Sequence, residues 1–128
     1  MTYYNSKKVN AGFEDVLVKV ADELKKEGFG ILTEIDVKAT LKNKLDVDFR
    51  KYKILGACNP PFAYKALQAE RNIGVLLPCN VIVQELDELN TEVSVVNPLV
   101  SMQNVNNESL APVAGEVAEK LKRVLENI

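Results

Sequence analysis

The sequence predicts an α+β fold, with helices packed against a mixed, largely antiparallel sheet in the order βαβαβαββα. Three observations carry that expectation. Amphipathic stripes at helical spacing occupy residues 13–27 and the last twenty or so residues of the chain. Between them run short apolar segments of strand length, punctuated by Gly, Pro, Asn and Asp. Two of these, "NVIVQEL" and "TEVSVV", are separated only by "DELN", which makes them an antiparallel hairpin late in the chain.

Residues 2–9 alternate weakly and read as a first strand at a sheet edge. In residues 13–27, Phe13, Val16, Leu17, Val20, Ala21 and Leu24 form one stripe. Glu14 and Asp15 open this helix and Lys25 and Lys26 close it, as the helix dipole favours, and Gly28 supplies the stop. "GILTEI" reads as a strand. Asp36 can cap a short helix with Val37, Thr40, Leu41 and Leu45 as its inner face. "YKILGAC" is the next strand, and Asn59 can cap a helix that starts at Pro60 and runs to about Arg71. After the hairpin, "NPLVSMQNVNNES" reads as a loop with room for one helical turn. The final helix starts near Ser109 with Pro112 in its first turn. It buries Val113, Val117, Leu121, Val124 and Leu125, with Glu116–Lys120 and Glu119–Arg123 as surface pairs.

At 128 residues the chain is expected to form one domain over 1–128, burying roughly two-thirds of its unfolded surface. A net charge of −2 argues against a general nucleic-acid binder. The N-terminal "MTYYNSKKVN" carries no apolar signal segment, and "IGVLLPCNVIV" is too short and too interrupted to span a bilayer. The expected setting is the cytoplasm, with both cysteines as thiols. The most informative count is zero histidines. It excludes Ser-His-Asp and Cys-His catalysis within one chain, along with His-based metal and haem ligation. A general base would have to be Asp, Glu, Lys, Tyr or Cys.

The stretch from Gly28 to Asn80 holds "TEIDV", "LGACNPP" and "GVLLPCNV", and "VVNPLVSM" follows at 95–102. In combination these segments resemble the domain-of-unknown-function 302 family over nearly the whole chain. The resemblance implies a small α+β domain and a homodimer. It brings no activity, substrate or cofactor, and so no catalytic residues. Two positions depart from the family's pattern. Asp46 stands where glycine is usual, a mild change because aspartate tolerates a left-handed helix stop. Asn97 stands where aspartate usually precedes the late proline, which weakens any role for a carboxylate there.

Six groups of residues carry candidate chemistry. Cys58 lies one residue before a helix N-terminus, where unpaired N–H groups would stabilise a thiolate; it can equally be a small buried filler. Cys79 is either its resolving partner across adjacent strands or an independent buried thiol. Glu34 and Asp36 alternate on one strand face with Leu32, so they form either an acid–base pair or an ion pair and a helix cap. Asn59, Tyr64 and Asn80 flank the cysteines as pocket candidates. Residues 36–53 hold six basic side chains against three acidic ones, a balance able to attract an anion or simply to solvate a surface. The late loop with Pro98 and Met102 is long enough to carry binding. No metal site is expected and no cofactor is indicated.

Three classes of function remain open from the sequence. One is a homodimeric binding domain for a small ligand, anions included. Another is a thiol-dependent redox or sulfur-transfer protein using Cys58 and Cys79. A third is a scaffold or interaction domain. Whether the chain is an enzyme stays open, and neither nucleic acid nor membrane is an expected partner.

Overall fold

The computed structural model describes residues 2–128. Its elements follow the predicted order: β1 (Tyr4–Val9), α1 (Phe13–Lys26), β2 (Gly30–Asp36), α2 (Val37–Leu45), β3 (Tyr52–Cys58), α3 (Pro60–Ala69), β4 (Cys79–Asp87), β5 (Asn90–Val96), α4 (Pro98–Ser101) and α5 (Ala111–Glu126). The five strands form one sheet in the order β1-β5-β4-β3-β2. Expected to be largely antiparallel, it is antiparallel in every pairing. The first two strands therefore lie at opposite edges, and α1 connects them across the sheet.

Helices α1 and α5 cover one face. Val16, Val20 and Leu24 of α1 and Leu121 and Val124 of α5 meet Leu55, Val81, Val83, Val93 and Val95 of the three central strands, all at most 1% exposed. Burying each of these side chains contributes roughly 1.5–3 kcal/mol. The end of α1 is set locally. Gly28 takes φ +87°, and the Phe29 N–H donates to the Leu24 carbonyl across it. Asp46 closes α2 in the left-handed conformation, φ 54° and ψ 38°, as the glycine usual at this position in the resemblance implies.

Two local expectations fail for non-local reasons. Helix α2 buries none of its residues, and Leu45 is 66% exposed. It follows the edge strand β2, where no second layer of helix completes the burial of its apolar stripe, and Val37 and Leu41 stay half-buried. On α5, Lys120 and Arg123 do not pair with Glu116 and Glu119. Both reach Glu27 at the end of α1, Arg123 through Nε and an Nη at 3.1 and 2.9 Å and Lys120 at 3.9 Å. The Arg123 guanidinium holds the Glu27 carboxyl below its ordinary value, against the opposing effect of burial.

Candidate functional site

Strand β3 ends at Cys58 and β4 begins at Cys79, so both cysteines lie at the same end of the sheet. The chain between them, α3 and a 3-10 turn at Ile73–Leu76, arches over that end. The arch, the first turns of α5 and the sheet end leave a cavity of about 360 Å³, within the range of small-molecule sites. Its wall is apolar: Phe62, Ala66 and Leu67 from α3, Pro78 before β4, and Met102 and Val117 from the C-terminal third are among the lining side chains. Among the described residues no charged side chain lines it.

A bulge in β2 shapes the mouth. Ile31 pairs with Ala57 and Thr33 with Gly56, so Leu32 is an extra residue with no partner on β3. The bulge breaks the alternation that would put Leu32 and Thr33 on opposite faces, and both border the cavity. Glycine at 56 lets the chains approach closely there, beside Thr33 and Pro78.

Cys58, Cys79 and Asn59 line this cavity. Both cysteines are free thiols. The register sets Ala57, not Cys58, opposite Cys79, and alternation turns Cys58 away from the Cys79 face. Both thiols nonetheless border the one cavity at this end of the sheet. Burial, and secondarily the neighbouring Cys58, pushes the Cys79 thiol up to about 11, so at neutral pH it is protonated and a poor attacking group. The helix N-terminus expected to favour a thiolate at Cys58 is poor in donors, with the Phe62 N–H left at its start. Pro60 and Pro61 have no N–H, and the Ala63 N–H is taken by the Asn59 carbonyl at 2.9 Å.

Asn59 occupies the cap position of α3, but its side chain makes no capping bond. Its amide Nδ2 donates to the Glu27 carbonyl at 3.0 Å, tying the start of α3 to the end of α1. It packs against the bare face of Gly28, where an added Cβ would stand 3.2 Å from Nδ2.

The other four predicted site residues lie elsewhere. Glu34 and Asp36 sit on the outer strand. Glu34 pairs with Lys53 at 2.7 Å, and Asp36 caps α2 by accepting from the Ala39 N–H at 2.9 Å. The pairing with Glu34 raises the Lys53 amine above its ordinary value. Tyr64 points to solvent at 65% exposure, and Asn80 faces a hollow of about 450 Å³ on the uncovered side of the sheet with Tyr4 and Tyr52. Much of the basic segment is engaged as well. Lys42 pairs with Asp46 and Asp48, Lys38 donates to the Phe49 carbonyl, and Arg50 binds Gln84 and stacks on Phe49. Among the described residues no three His, Cys, Asp or Glu side chains gather as a metal site would require. No helix among them is long and apolar enough to cross a membrane.

The raised Cys79 value has a consequence for stability. The ordinary thiol value is 9.0 and the folded one about 11, so the fold favours the neutral thiol. That contribution is complete below pH 9 and is lost as pH rises from 9 through 11. About 2 kcal/mol should disappear over this window. Urea unfolding of the wild type against Cys79→Ala across the same range measures it. Parallel curves for the two proteins would mean that the Cys79 thiol is solvated in the fold.

Residues 5–128 match a family model described as Domain of unknown function DUF302. A solved structure, the crystal structure of an uncharacterized conserved protein DUF302 from Bacillus stearothermophilus, is similar at 26% identity and a TM-score of 0.91. The match covers 99% of this chain and 98% of that one. No curated protein matches.

Proposed function

We propose that this chain, which belongs to the DUF302 family, binds a small, uncharged, mostly apolar molecule in the cavity at the cysteine end of its sheet. The observation that carries this reading is the lining: a built cavity of about 360 Å³ bounded by three separate chain segments, with no charged side chain. An anion would leave water for a wall that offers no Lys or Arg and a helix start with two prolines, at a cost of several kcal/mol. The same features disfavour a thiol enzyme, since a Cys79 thiol held protonated by burial makes a weak resolving thiol.

The test is a fluorescence titration at neutral pH with 2-methoxynaphthalene and with naphthalene-2-sulfonate. The neutral probe is expected to bind with a dissociation constant of roughly 1–100 μM, corresponding to about 5–8 kcal/mol. The sulfonate is expected to bind at least tenfold more weakly. Equal binding of both, or binding of the anion alone, would sink the reading.

The binding domain is a homodimer in this proposal, joined through β2 and α2. Every residue of β2 is exposed, including Ile31, Leu32 and Ile35 at 37%, 67% and 48%. This edge carries no lysine, whereas the opposite edge, β1, carries Lys7 and Lys8. A partner against β2 would also cover Leu32 at the cavity mouth. Light scattering should give twice the chain mass for the wild type and the single-chain mass for Ile35→Lys. A wild-type mass of one chain would rule the dimer out.

A further inference from the structure

The cavity is apolar but has one oriented polar group. Asn59 is only 7% exposed, and its donor end is committed, with Nδ2 on the Glu27 carbonyl at 3.0 Å. That bond commits the Nδ2 end of the amide and leaves Oδ1 as the end without a protein donor. Among the described residues no donor reaches Oδ1: the side chain makes no capping bond, and its one hydrogen bond is the donation from Nδ2. No fully buried side-chain nitrogen or oxygen among those residues lacks a partner, so Oδ1 is not sealed in protein. The free space that Asn59 borders is the cavity.

We propose that Asn59 Oδ1 is a specificity-determining acceptor, selecting from apolar molecules those that present one hydroxyl or N–H group. The ligand class is an aromatic or alicyclic body with a single donor, such as a phenol, an alcohol or an indole-type N–H. This rests on the apolar-ligand reading above and adds the donor to it. The physical reason is the asymmetry of buried hydrogen bonding. A ligand without a donor strips water from Oδ1 and returns nothing, whereas one with a donor replaces that water. Thr33, the other uncharged oxygen at the wall, is exposed at the mouth and keeps its water.

The experiment compares 2-naphthol, neutral at neutral pH, with 2-methoxynaphthalene, which has the same ring and no donor. The wild type is expected to bind 2-naphthol about tenfold more tightly, the size of one net hydrogen bond. Asn59→Ala should bring the ratio to about one, while Thr33→Val leaves it unchanged. Equal wild-type affinities would overturn the role of Asn59 and leave the apolar-ligand reading standing. A ratio lost in Thr33→Val but kept in Asn59→Ala would overturn it too. If neither probe binds, the cavity reading falls and this inference falls with it. Because Asn59→Ala also removes the tie to Glu27, a second readout uses the wild type alone. The Asn59 side-chain carbonyl carbon should shift in NMR with 2-naphthol and not with 2-methoxynaphthalene; identical spectra with both probes would contradict the assignment.

Discussion

Gly56→Val is expected to destabilise the protein by about 3 kcal/mol, lowering the thermal midpoint by roughly 10 °C for a domain of this size. Gly56 lies on β3, flanked on both sides, between Thr33 of β2 and Asn80 of β4. A Cβ built there would collide with the Thr33 hydroxyl and come within 2.7 Å of Pro78 Cγ. The Thr33 side chain can rotate away because it is exposed. The Pro78 ring cannot, being fixed to the backbone just before β4. Relief therefore requires β4 to shift against β3, which disturbs Val81 and Val83 in the core. Gly56→Ala should show about half the effect, and adding Thr33→Ala to it should recover only part, because the clash with Pro78 remains. Calorimetry of the four proteins checks this. A Gly56→Val protein as stable as the wild type would mean that β2 and β4 do not close on β3 at Gly56.

The same position shows what a sequence can and cannot disclose. The bounds of β3, the glycine stop after α1 and the cap at Asp36 were legible because each depends on a residue and its near neighbours, while the left-handed Asp46 was suggested only by the family resemblance. The exposure of α2 was not. Its stripe of Val37, Leu41 and Leu45 is the pattern of a covered helix, and only the tertiary arrangement leaves Val37 and Leu41 half-buried and Leu45 exposed. The partners of Lys120 and Arg123 were misread for a related reason. Spacing on α5 shows Glu116 and Glu119 one turn away, but not that α1 ends beside them. The DUF302 resemblance, by contrast, was readable from the motifs around the cysteines and holds over residues 5–128.

The candidate site was legible only in part. Cys58, Asn59 and Cys79 could be singled out because they stand beside prolines at strand ends. Most of the wall consists of ordinary Ala, Leu, Phe and Val, whose spacing on α3 and α5 is that of any core-facing helix. The bulge at Leu32 leaves no sequence mark either. One signal was available and pointed the other way. With prolines at the first two positions of α3, the start of that helix has few N–H groups for an anion, a thiolate or the Asn59 side-chain oxygen to use. The Asn59 amide is thereby left to turn toward Glu27.

Filling the cavity should separate ligand binding from folding more sharply than any change at its polar edge. Ala66 is 2% exposed on α3 and borders the cavity, so a larger side chain there has no route to solvent. Ala66→Phe adds a ring that about 360 Å³ can hold. Cavity filling by an apolar group gains buried area and contacts, against some strain at Ile73 and Leu110, which pack with Ala66. The two effects oppose each other, so net stability should change by no more than about 1–2 kcal/mol in either direction. Binding has no such compensation, because the ring and the ligand compete for one space. Affinity for 2-methoxynaphthalene and 2-naphthol should fall at least a hundredfold, about 2.7 kcal/mol. Unfolding curves and probe titrations on the same preparation give both numbers. A folded Ala66→Phe protein that still binds the probes at wild-type affinity would place them outside this cavity, and the hollow lined by Tyr4 and Tyr52 on the uncovered sheet face would be the next surface to test.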